Sequence, residues 1–145
     1  MKWIEIAESQ LGVTEHPQGS NGGKEVDMYL KSVGLGTGFS WCAAFVYWCV
    51  KQAGISTNLC KNAGVLNMWR GTNAKYKFNT PKEGDIFIMD FGGGKGHTGF
   101  VLAVNGTSFT TIEGNSDAKG SRTGGSVCSN TRSIHNCVGF IRLLP

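Results

Sequence analysis

Cys42 opens an almost wholly apolar run, Cys42-Ala43-Ala44-Phe45-Val46-Tyr47-Trp48-Cys49-Val50, and Ser40 precedes it where a helix N-cap would stand. In the first turn of a helix a cysteine lies beside unpaired N–H groups and the positive end of the helix dipole. Both favour the thiolate and bring the pKa down from ~8.5 toward neutrality. Such a thiolate attacks an acyl carbonyl when a base stands next to it. Cys49, further along the same run, reads instead as a small buried hydrophobe.

Among the three histidines, His97 is the best partner. It opens a strand-like run and is flanked by Gly96 and Gly99, which leave room for a substrate. His16 falls in a loop and His135 in a polar turn. The third element is Glu113-Gly114-Asn115. At i and i+2 on extended chain, Glu113 and Asn115 face the same side, and either one can accept a hydrogen bond from the imidazole. An orienting acceptor fixes the tautomer and supports an imidazolium, which is the logic of a Ser-His-Asp triad with sulfur in place of oxygen.

Competing chemistries fit the residues less well. Gly94-Lys95-Gly96-His97-Thr98-Gly99 satisfies G-x-G-x-x-G, but Phe100-Val101-Leu102-Ala103-Val104 continues as strand where a dinucleotide site needs a helix N-terminus. A hairpin loop accounts for these glycines. Lys95 is followed by Gly96, so there is no Walker pattern either. The histidines and cysteines lack zinc-site spacing, and Thr14 to Gly23 has only Glu15 where a calcium loop alternates carboxylates. No metal and no cofactor are expected.

Four amphipathic or buried helices and then strands must position these groups. Trp3, Ile4, Ala7 and Leu11 repeat at helical spacing up to Gly12, and Val26, Tyr29, Leu30 and Val33 do so up to Gly34. The Cys42 run, about 13 residues to the stop at Gly54, is long enough for a buried helix. Asn62 to Arg70 reads as a shorter one. Beyond Gly71 the period changes to two: 85–91, 97–104, 108–113 and 138–143 read as strands joined by short turns such as Asn105-Gly106. Helices followed by consecutive strands define an α+β fold, N-terminal helices packed on an antiparallel sheet.

In that order, Ser40-Trp41-Cys42-Ala43-Ala44-Phe45-Val46, Glu83-Gly84-Asp85-Ile86, Gly96-His97-Thr98-Gly99-Phe100-Val101 and Ile112-Glu113-Gly114-Asn115 resemble the CHAP domain. The name denotes cysteine, histidine-dependent amidohydrolases/peptidases, related to NlpC-type cell-wall peptidases and more distantly papain-like. The resemblance runs from the first helix to the last strand. It implies a peptidoglycan hydrolase, either an N-acetylmuramoyl-L-alanine amidase or an endopeptidase of the stem peptide or cross-bridge. By that resemblance Cys42 is the nucleophile, His97 the general base and then acid, Glu113 the group that orients His97, and Asn115 a supporting polar residue. Many members carry Gln beside the nucleophile where this chain has Trp41, which leaves the backbone N–H of Cys42 as one candidate oxyanion donor. Trp41 and Trp69 are the expected groove-lining, substrate-binding aromatics, whereas Tyr47 and Trp48 belong to the core.

Length and composition set the frame. The chain has 145 residues, 40% hydrophobic and 10% aromatic, which suits one domain over 1–145 with its own core. A formal charge of +4 is too mild for a nucleic-acid binder, although Lys51 to Lys82 carries six basic residues and no Asp or Glu, forming a solvated positive face. The five cysteines are an odd number, so at least one thiol is free, and a Cys128–Cys137 bridge stays open. Met1 to Leu11 interleaves Glu5, Glu8 and Gln10 with apolar residues, and neither a signal peptide nor membrane insertion is expected. The expected protein is therefore a monomer made in the cytoplasm that acts on the wall after release by a phage holin or a secretion machine. A phage or prophage lysin heads that reading, with an interbacterial toxin amidase second. A catalytically silent wall-binding module and a thiol enzyme acting on another acyl substrate remain alternatives.

Overall fold

The computed structural model describes residues 1–55 and 57–144. Helices α1 (Lys2–Ser9), α2 (Lys24–Ser32), α3 (Cys42–Gln52) and α4 (Val65–Arg70) come first. Strands β1 (Lys77–Phe78), β2 (Ile86–Gly92), β3 (Lys95–Asn105), β4 (Ser108–Ser116), β5 (Ser126–Cys128), β6 (Thr131–Ser133) and β7 (Gly139–Ile141) follow. They form a sheet in the order β1-β7-β2-β3-β4-β5, with β6 also paired to β4, and every pairing is antiparallel. The architecture is the expected α+β arrangement.

Period-two alternation on β2 divides the apolar residues between two clusters. Ile86 and Ile88 join the main core beneath the helices, while Phe87 and Met89 turn the other way and meet Val101, Phe109 and Phe140. Helix α3 is buried on nearly all sides, with Ala43, Ala44, Phe45, Val46, Cys49 and Val50 all inaccessible, because α1 and α2 cover one flank and β3 and β4 the other. This explains a run without amphipathic pattern. The predicted hairpin between β2 and β3 is real: Gly92, Gly93 and Gly94 all have positive φ, and Lys95 continues into strand.

All five cysteines are unbridged, including Cys128 and Cys137. Among the described residues no helix is long and apolar enough to cross a membrane.

Candidate active site

Two absent side chains let the site close. On β3, His97 and Gly99 share a face, since they pair with Met89 and Phe87 of β2. A Cβ on Gly99 would stand 2.9 Å from the Cβ of Glu113 and 2.8 Å from the Phe87 ring, so only glycine lets Glu113 lie across this position to its neighbour His97. On β4, a Cβ on Gly114 would stand 2.7 Å from that of Phe45 and 2.9 Å from the Trp41 ring. Helix α3 therefore lies directly on β4, and its first turn brings Cys42 to the imidazole. Gly99 accommodates protein and not substrate, contrary to the role expected for it, while Gly96 does border the cleft.

The structure brings together Cys42, His97 and Glu113. His97 and Glu113 are fully buried, and Nε2 of His97 lies 2.8 Å from Oε1 of Glu113. With Nε2 committed, Nδ1 is the nitrogen left for Cys42. It closes no hydrogen bond among the described residues at rest, yet thiol and imidazole interact strongly enough to shift each other. Burial opposes ionisation of Cys42. The adjacent His97 side chain, with the backbone N–H groups of Thr98 and Ala43, outweighs it and holds the thiol below its ordinary value. Burial likewise opposes protonation of His97, but Cys42 and Glu113 push its pKa up to about 9. Each group thereby favours the charged form of the other.

Glu113 is itself clamped. Burial would raise its pKa, but His97 and Arg132 together take it down to about 2. Arg132 donates through Nε to Oε2 at 2.9 Å and through Nη2 to Oε1, and the Thr111 hydroxyl donates to Oε2 at 2.6 Å. The guanidinium also holds the Gly120 carbonyl at 3.1 Å and lies 5.8 Å from the Phe87 ring centroid. A fully buried carboxylate needs such partners, and a bidentate arginine is the strongest available. Sequence reasoning passed over Arg132. The general requirement that a buried carboxylate have a cation was the available signal, but nothing in Thr131-Arg132-Ser133 singles that arginine out.

Asn115 does not reach His97. Its φ of +57° and a register shift between Glu113 and Ser116 break the extended geometry on which i, i+2 facing depends. Its Oδ1 accepts from the Gly125 N–H at 3.2 Å, and its Nδ2 donates to Ser40 Oγ at 3.3 Å. Ser40 is not the helix N-cap either. Trp41 holds that position without a side-chain cap, and Ser40 borders the cleft beside Cys42.

The expected aromatic groove walls are a correction. Trp41 is fully buried, its indole N–H donating to Glu15 Oε2 at 2.8 Å and its ring stacked on Tyr29, so it anchors the start of α3 and cannot meet a substrate. Trp69 packs over Gly139 and under the Lys77 ammonium, 4.5 Å from the ring centroid, and does not border the cleft. The cleft has a volume of about 120 Å³, walled by Ser40, Cys42, Val65 and Gly96, with Lys95 and Arg122 at its rim. A larger hollow of about 480 Å³, lined in part by Gly120 and Arg132, does not include Cys42.

The linked shifts set a pH dependence. With the His97 pKa pushed up to about 9 and that of Cys42 held below its ordinary value, any amide hydrolysis at this pair is expected to show a bell-shaped kcat/KM. It falls on the alkaline side near pH 9 as the imidazolium is lost, and on the acid side as the thiolate protonates. The two limbs belong to the pair. A pH–rate profile that keeps rising through pH 10 would contradict this assignment.

A cysteine at a helix start, a histidine on the adjoining strand and a carboxylate behind it have the arrangement that cysteine-dependent acyl transfer requires. The CHAP domain model matches residues 34–115, which include Cys42, His97 and Glu113, and the chain belongs to the CHAP domain family, a peptidoglycan-hydrolase-like family of amidases and peptidases. The fold is similar to that in "The crystal structure of Ly7917", with a TM-score of 0.57 and 16% sequence identity. The alignment covers 97% of this chain and 60% of that one. No curated protein matches the sequence.

Proposed function

We propose that this protein cuts an amide bond of bacterial peptidoglycan through an acyl-enzyme on Cys42. The observation that carries the reading is the buried thiol–imidazole–carboxylate line in which each group shifts the next toward its charged form. A binding module has no use for so costly a burial of charge. Cys42 Sγ attacks the carbonyl carbon, and the imidazolium of His97 gives its proton to the departing amine. Neutral His97 then takes a proton from water, whose oxygen attacks the thioester and releases the carboxylic acid and the Cys42 thiolate, leaving His97 as the imidazolium again. Glu113 keeps the ring oriented throughout.

Two donors suit the oxyanion. The Cys42 N–H, at the first helical position, has no intrahelical acceptor. Ser40 Oγ accepts from Asn115 and so keeps its own proton to donate toward the cleft. Ser40→Ala is therefore expected to lower kcat by about 10²-fold with little change in KM, read by steady-state kinetics. An unchanged kcat would remove Ser40 from the oxyanion site.

Mass spectrometry of muropeptides after digestion of purified walls tests the function directly. The expected product carries one added water and a new amine whose position names the bond. Walls that bind the protein yet yield no new amine would make it a wall-binding module, and cleavage of only lipid or protein amides would assign another acyl substrate.

A further inference from the structure

Arg122 lies at the rim of the cleft that holds Cys42, and it is unlike the surface cations elsewhere. It is half-buried, its Nε is closed to solvent, and that N–H has no hydrogen-bond partner among the described residues. It takes part in no ion pair there either. Guanidinium N–H groups shut away from water are normally paired, so an unpaired one on a side chain that lines a cleft marks a cation for which the described residues supply no acceptor.

The segment around it is braced. Asp117 Oδ1 accepts from the Lys119 N–H at 2.9 Å and the Ser121 N–H at 3.1 Å, and Ser116 Oγ donates to the Ser121 carbonyl at 2.7 Å. A Cβ on Gly124 would stand 2.3 Å from the Ser116 carbonyl carbon, so the far side of the loop lies flat on β4. The neighbouring polar groups satisfy one another and leave Arg122 over. Lys95 faces the same hollow from the β2–β3 hairpin, and no Asp or Glu lines it.

We propose that Arg122 and Lys95 form a carboxylate-binding subsite in the catalytic cleft, making the substrate an acidic peptide whose scissile amide is flanked by a free carboxyl group. The inference rests on the peptidoglycan-hydrolase reading and narrows it. A planar guanidinium matches a carboxylate geometrically, and the site is already ordered, so little freedom is lost when the carboxylate arrives. An amidated carboxyl offers no charge and one fewer acceptor.

The test compares two matched sets of muropeptides, one with free stem carboxyls and one amidated with carbodiimide and ammonia. The wild-type protein is expected to favour the free-carboxyl set by about 10- to 100-fold in kcat/KM, the range of one charge-assisted hydrogen bond. R122Q should bring the ratio between the sets close to one by slowing the free-carboxyl set, and R122K should restore part of it. Equal wild-type rates on the two sets would overturn the inference without any variant, as would R122Q slowing both sets alike. If the wild type releases new amines from walls in a Cys42-dependent way but cuts neither set, the subsite is wrong and the hydrolase reading stands. If it cuts neither walls nor muropeptides, both fall.

Discussion

Cys42→Ala is expected to lower amide hydrolysis by about 10⁴-fold or more while leaving the fold in place, because removal of a covalent nucleophile leaves only oxyanion binding and positioning. Cys42 is only 3% exposed, and losing one sulfur from it leaves a small void, far less than a leucine-to-alanine change. A second readout belongs to the mechanism alone. Cys42 heads the groups that raise the His97 pKa against burial, so without the thiolate the imidazole should titrate below about 9. In the parent, the raised pKa contributes stability that is complete below the unfolded value of about 6.5 and is lost as pH rises through about 9. In the variant that loss moves to lower pH. Wall clearing by Cys42→Ala equal to that of the parent would end the proposed mechanism, and an unchanged His97 titration by NMR would separate the thiol from the imidazole.

Cys42, His97 and Glu113 were open to nomination from the sequence because each carries its signal locally. The cysteine heads a run apolar on all sides, the histidine sits among glycines, and the glutamate ends an alternating strand. Their meeting depends on Gly99 and Gly114, where the missing Cβ atoms let Glu113 and α3 approach. That is a pairwise fact between strands and cannot be read from either one alone.

The same distinction explains the misplacements. Trp41 beside a nucleophile looks like a groove wall until its indole is seen to hold the buried carboxylate of Glu15. Asn115 follows the i, i+2 rule only on regular strand, and its left-handed φ breaks that rule. The strands β1, β5 and β6 span two or three residues, too few for a period of two to show. Arg132 lies on the last of these.

At Arg132 the second large effect is expected. Its side chain is 10% exposed and that of Glu113 fully buried, so the pair is not a surface bridge. Arg132→Met would leave the carboxylate to His97 and Thr111 alone, and breaking a buried ion pair from one side costs about 3 kcal/mol or more. The loss should depend on pH with a definite sign. The lowered Glu113 pKa gives stability present above its unfolded value of about 4.3 and lost as pH falls through about 2. Without Arg132 the folded pKa rises, so the variant loses that contribution at higher pH than the parent. The gap between the two proteins then shrinks in acid as both carboxyls protonate. Adding Glu113→Gln to Arg132→Met should recover part of the stability at pH 7, since no ion is then buried without a partner, but not the proposed hydrolysis, in which the carboxylate charge supports the His97 imidazolium. Urea denaturation at pH 7 and at acid pH measures both effects. A cost below about 1 kcal/mol at pH 7 would reduce the clamp to the worth of an exposed salt bridge.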